Sequence, residues 1–131
     1  MYLKIVCLLF IGFLSEQPVT NFGDIHELKL KTQWIMDDVV IDFVSVGTDS
    51  RCPKGVMCVQ AGEVIADLCI SASGKKKTLK VTITPTTIQP MVLFKSNDMT
   101  IYAKALAPYP LPDTQINDSD YRLILEIFKN Q

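Results

Sequence analysis

Asp49-Ser50-Arg51-Cys52-Pro53-Lys54-Gly55-Val56-Met57-Cys58-Val59-Gln60-Ala61-Gly62-Glu63 places two of the chain's four cysteines, a proline and two glycines between two apolar runs. The run before it, Val39 to Val46, and the run after it, Glu63 to Ala72, are rich in β-branched residues and bounded by turn formers, which is the pattern of strands. The Cys52-x5-Cys58 spacing around Pro53 and Gly55 makes a small turn that can bring two Cβ atoms within disulfide range. In the chain-entropy model a loop of about seven residues contributes roughly 2.4 kcal/mol, a sizeable share of a folding stability of ~5–15 kcal/mol. A pinned loop between strands points to an all-β domain made in an oxidising compartment.

The flanking segments alternate in the same way. Leu28 and Leu30 interleave with Glu27, Lys29 and Lys31, a short strand with a charged outer face. Val39 to Val46 is apolar on both faces, which predicts a central, covered strand ending at Gly47. Val64, Ala66, Leu68 and Ile70 share one face of the next run; Glu63, Ile65, Asp67 and Cys69 share the other, so Cys69 is a leftover, partly covered thiol on the more polar side. Leu79, Val81 and Ile83 alternate with Thr78, Lys80, Thr82 and Thr84 until Pro85, which lacks an amide donor, ends the pairing. Met91 to Phe94 and Met99 to Leu106 make a hairpin across Ser96-Asn97-Asp98. Finally, Tyr121, Leu123, Leu125 and Ile127 alternate with Arg122, Ile124, Glu126 and Phe128. About seven such strands and no convincing helix predict a single β-sandwich, immunoglobulin-like in kind.

A chain of 131 residues, 48% of them hydrophobic, is the size of one domain with its own core. Thirteen basic against fourteen acidic residues leave a net charge of −1, so no field attracts nucleic acid. Lys75-Lys76-Lys77 beside Gly74 is expected to be a solvated hairpin tip. Residues 1–15 carry a lysine and then about ten mostly apolar residues before Glu16-Gln17-Pro18, the layout of a signal peptide. Residues 1–20 are therefore expected to be removed and residues 21–131 to form a secreted or periplasmic domain, monomeric and without a membrane span. The alternative is that this apolar stretch stays as a strand of the fold.

Few residues invite chemistry. Structural zinc needs four ligands with paired short spacings, whereas the chain offers one Cys-x5-Cys pair, an isolated cysteine and the single His26. Thioredoxin-like chemistry needs Cys-x-x-Cys at a helix N-terminus, and there is no Gly-x-Ser-x-Gly or His-Glu-x-x-His. No catalytic residue, cofactor or metal is assigned. Trp34 either covers one end of the sandwich or faces a partner as an exposed anchor. Ala107-Pro108-Tyr109-Pro110-Leu111-Pro112-Asp113 is expected to be a stiff crossover from one sheet to the other with Tyr109 tucked against the core, or else a ligand for a proline-recognising partner. Thr84 to Pro90 is a second stiff connection.

Asp49-Ser50-Arg51-Cys52-Pro53, Val56-x-Cys58-Val59-x-Ala61-Gly62-Glu63, Ala107-Pro108-Tyr109-Pro110 and Asp120-Tyr121 together resemble a family of small exported bacterial proteins, often lipoproteins, of uncharacterised function. The resemblance spans residues 39 to 128. The chain departs from that pattern in carrying Gln60 where the family commonly has tryptophan, and in lacking an anchoring cysteine at the mature N-terminus. The resemblance implies a secreted β-sandwich-like domain and supplies no activity.

Within the motif, Asp49 can accept amides of the turn, while the planar fork of Arg51 suits a carboxylate such as Glu63 or Asp120. That makes the loop a structural latch; the alternative is a recognition surface of Arg51, Lys54 and Glu63 on a rigid loop. The expected function is a non-enzymatic exported domain that binds a protein or cell-envelope component through its loops. A purely structural envelope domain and a protease-inhibitor-like domain presenting the Cys52 to Cys58 loop are the alternatives.

Overall fold

A computed structural model describes residues 22–85 and 89–130. The expected signal peptide and the middle of the second stiff connection lie outside the described residues. Eight strands are present among them: β1 (Asp24–Lys29), β2 (Gln33–Met36), β3 (Val39–Val46), β4 (Val64–Ala72), β5 (Lys75–Ile83), β6 (Met91–Lys95), β7 (Met99–Ala107) and β8 (Arg122–Lys129). They form two antiparallel four-stranded sheets, ordered β1-β8-β7-β6 and β2-β3-β4-β5, packed face to face as a β-sandwich.

The inward faces follow the two-residue period of a strand. Val64, Ala66, Leu68 and Ile70 on β4 are buried, as are Leu123, Leu125 and Ile127 on β8 and, just before it, Tyr121. Ile41, Phe43 and Leu68 from one sheet meet Ile101, Leu123 and Leu125 from the other, all essentially without exposure. The chain changes sheet twice, between β1 and β2 and between β5 and β6. At the first change Lys31 takes a positive φ of 63°. The Leu30 amide still donates to Tyr121 O (3.1 Å), while the next amide, Lys31, donates to Phe43 O in the other sheet (2.8 Å).

Several sequence expectations change here. The sandwich is present, but its strand order is a β2–β5 meander followed by a β6–β8 meander, with β1 added beside β8, without the interleaved sheets of the immunoglobulin order. β2 was not expected as a strand: Trp34, Ile35 and Met36 show no alternation, yet they pair with Ile41, Val40 and Val39. β3 is central but covered on one face only. Val44 lies on the outer face with Val40 and Asp42 and is 51% exposed, and a bulge between Phe43 and Ser45 shifts the phase so that Val46 packs against the core. The lysine cluster is not the hairpin tip, which is Ser73-Gly74; Lys75, Lys76 and Lys77 begin β5, an edge strand. Charge there keeps an open sheet edge from pairing with another chain.

The Pro-rich segment also differs from expectation. β7 and β8 are hydrogen-bonded neighbours, so the segment leaves and re-enters the same sheet instead of crossing to the other. It is a long hairpin connection folded over one end of the sandwich, ending in a single 3₁₀ turn at Asp118–Asp120.

Phe43 has no exposed surface and lies between the sheets. Phe43→Ala is expected to lower the unfolding free energy by about 3–5 kcal/mol in urea titration with the denaturant slope retained.

Candidate functional site

The segment between β3 and β4 lies against the β7–β8 connection at one end of the sandwich. Its two arms continue the antiparallel ladder beyond the strand ends: Ser50 N donates to Glu63 O (2.9 Å) and Cys52 N to Ala61 O (2.8 Å). The Ser50 hydroxyl donates to Glu63 O and accepts from Glu63 N. Gly62 sits opposite at φ +70°, and a Cβ there would collide with the Ser50 carbonyl oxygen. Glycine is the residue this approach allows.

Arg51 is the centre of the arrangement, with 2% of its side chain exposed. Its Nε and Nη2 donate to Asp49 Oδ1 (2.8 Å) and Oδ2 (2.7 Å), a two-point ion pair closed by the turn between them. Nη1 donates to Leu106 O (2.8 Å) and Nη2 also to Pro108 O (3.0 Å), on either side of the cis Ala107–Pro108 bond. The Tyr121 hydroxyl donates to Asp49 Oδ2 (3.0 Å), and the Arg51 amide to Asp49 Oδ1. A guanidinium and a carboxylate thus share the interior with nearly all their hydrogen-bonding capacity used, as burial of charge requires.

Burial pushes the Asp49 carboxyl up, but the hydrogen bonds and charge of Arg51 and the Tyr121 hydroxyl outweigh it and hold its pKa below the ordinary value. Tyr121 moves the other way. Burial, and its bond to the Asp49 carboxylate, push it from 10.0 to about 12.

Cys52 and Cys58 form a disulfide, with Cα atoms 6.0 Å apart. The loop it closes is seated on the Pro-rich connection. Lys54 N donates to Pro110 O (2.9 Å), the Tyr109 hydroxyl donates to Cys52 O (2.9 Å), and the Arg51 guanidinium lies 5.4 Å from the Tyr109 ring centre. Beyond this anchored base the tip is bare. Val56 is 44% exposed, and Met57 and Val59 are fully exposed.

The residues singled out in the sequence are placed as follows. Asp49, Arg51, Cys52, Cys58 and Tyr109 come together at this end of the molecule. Arg51 reaches neither Glu63 nor Asp120; Asp49 is its carboxylate, and its cross-chain partners are backbone carbonyls. Glu63 contributes through its backbone to Ser50. Tyr109 is 41% exposed and packs on the disulfide loop instead of the core. Trp34 is not presented to a partner: it is 7% exposed within the core cluster, its ring 5.9 Å from His26. Cys69 is a buried free thiol on β4, paired in register with Asp42 and Thr78. Tyr121 was missed as a site residue; its place in the Asp120-Tyr121 motif, against a face of otherwise aliphatic residues, was the available signal.

Among the described residues no three His, Cys, Asp or Glu side chains come together to hold a metal ion. No family model, no curated protein and no solved structure matches the chain.

Arg51→Ala would leave the Asp49 carboxylate without its counter-charge and the Leu106 and Pro108 carbonyls without their guanidinium donor. It is expected to cost about 3–5 kcal/mol in chemical denaturation, with Arg51→Lys recovering only part, because an ammonium lacks the fork. The pH dependence has two limbs. Asp49, depressed on folding, contributes stability present above its unfolded pKa and lost as pH falls through the folded value. Tyr121, raised on folding, contributes stability fully present below pH 10 and lost as pH rises toward 12. Melting temperatures of wild type and Tyr121→Phe are expected to converge across that alkaline window.

Proposed function

We propose that the chain is an exported, non-enzymatic binding domain that docks on a protein or cell-envelope partner through the tip of its disulfide loop. The observation that carries this is the contrast between the two parts of the loop. Its base is fixed by the disulfide, the Arg51 ion pair and Tyr109, whereas Val56, Met57 and Val59 project into water. A single exposed apolar side chain is ordinary, but three on one pinned protrusion make an anchor that loses little conformational freedom on binding. Met57 and Val59 bury nothing and so do not stabilise the fold.

Export is supported by the disulfide, which forms and persists in oxidising compartments. Among the described residues no helix is long and apolar enough to cross a membrane. The apolar N-terminal stretch supplies the leader.

The test is a photo-crosslinking residue at Met57 in the full chain, expressed in its own compartment. A discrete adduct at Met57, diminished by Val59→Asp and absent from a probe at Lys76 on the far end of β5, is expected. Equal or absent adducts at both positions would reduce the loop to a structural element. Intact mass of the recovered protein should lack about the first 15–22 residues and gain two hydrogens on reduction; a full-length mass with every thiol reactive would end the export reading.

A further inference from the structure

The exposed apolar surface is concentrated at the end of the sandwich that carries the disulfide loop. Among the described residues eleven large apolar side chains are exposed, and five of them, Val56, Met57, Val59, Tyr109 and Leu111, stand on that loop and on the Pro-rich connection against it. The other six lie on or just before four different strands. The two segments touch: Lys54 N donates to Pro110 O, the Tyr109 hydroxyl donates to Cys52 O, and Val56 and Tyr109 border one shallow hollow. Clustered apolar exposure of this kind marks a surface that meets an apolar partner.

Three features of the patch suit a lipid surface better than a folded one. Its backbone is poor in free donors: the amides of Cys52, Lys54 and Val56 are hydrogen-bonded, and Pro53, Pro108, Pro110 and Pro112 have none to bond. Unpartnered polar groups are what an acyl environment penalises most. Tyr109 obeys the same rule, since its hydroxyl is already bonded to Cys52 O and its ring is what remains to be covered. The shape is convex. Met57 and Val59 are fully exposed, so each projects alone; a folded partner would need a fitted cavity for each, whereas acyl chains close around any protrusion. The charge is also telling. From Cys52 to Gly62 and from Ala107 to Pro112 the one charged residue is Lys54, which has no ion pair among the described residues. A lone cation beside an apolar tip, with no carboxylate in either segment, complements anionic headgroups.

We propose that this end of the domain inserts into the interface of a lipid bilayer, with Met57 and Val59 among the acyl chains, Tyr109 at headgroup level and Lys54 beside an anionic headgroup. The assignment rests on the reading of the loop tip as the docking element and names its partner, a membrane surface held without a span. The disulfide and the Lys54 to Pro110 bond keep the loop in shape before contact, so little ordering is required on insertion.

Flotation tests it, using the chain recovered from its own compartment with the disulfide intact and vesicles of phosphatidylcholine alone or of phosphatidylcholine and phosphatidylglycerol in equal parts. Co-flotation is expected, stronger with phosphatidylglycerol. In Met57→Trp, lipid brominated on its acyl chains should quench fluorescence beyond that of the buried Trp34, and in Lys76→Trp, on the far end of β5, it should not. Met57→Asp and Val59→Asp, at positions that bury nothing, should each weaken partitioning about tenfold. Lys54→Gln should remove the preference for phosphatidylglycerol. No flotation with either vesicle, equal quenching at the two positions, or partitioning unchanged in Met57→Asp would each overturn the lipid assignment. The photo-crosslinker at Met57 separates this assignment from the docking role itself. An adduct of phospholipid mass supports insertion; a polypeptide adduct without flotation overturns insertion and leaves the docking loop standing; neither adduct nor flotation ends both.

Discussion

The Asp49–Arg51 ion pair is the constraint on which this end of the molecule depends. It joins the exit of β3 to the end of β7 through the carbonyls of Leu106 and Pro108, and to the entry of β8 through the Tyr121 hydroxyl. These elements belong to different sheets, so one guanidinium fastens the two layers where the hydrophobic core runs out. Apolar side chains of equal volume could hold the layers together about as strongly, because two buried charges repay little more than their desolvation. They could not direct four hydrogen bonds. What the ion pair supplies is the position of the disulfide loop relative to the Pro-rich connection.

The inward faces were legible because alternation is a local property. Val64 to Ile70 and Tyr121 to Ile127 show which side chains meet the core without any knowledge of their neighbours in space. The Cys52–Cys58 bridge was legible for the same reason, since six positions of separation and a Pro-Gly turn determine its closure. Pairing order was not. β1 joins β8 from the other end of the described chain, and no local pattern encodes that contact. Stiffness misled in the Pro-rich segment, since prolines determine the shape of a connection and not its destination. At Arg51 the fork was recognised and its partner was not: the turn doubles back so tightly that the carboxylate two residues earlier takes the place expected of a distant strand.

The Pro-rich connection serves two neighbours at once. Tyr109 holds the disulfide loop through its hydroxyl and Arg51 through its ring, and it also lines a cavity together with Lys29 and Arg122. A segment that could have been a passive strap therefore sets both the platform under the loop and the wall of that cavity. Its own fit is secured by the pair of carbonyls that Arg51 collects.

The partnership of β1 with β8 also governs when the domain can come into being. During synthesis or passage through a narrow channel, β1 has no hydrogen-bonded neighbour among the described strands until β8 arrives, so the sheet they share stays open until then. Pairings of such long sequence separation form slowly, because the loop must close before any contact rewards it. The β3–β4–β5 meander, built from consecutive strands, can assemble first and bring Cys52 and Cys58 together while β1 waits. The order of events is thereby written into the topology: a local hairpin layer first, and the closing sheet as the step that commits the whole chain.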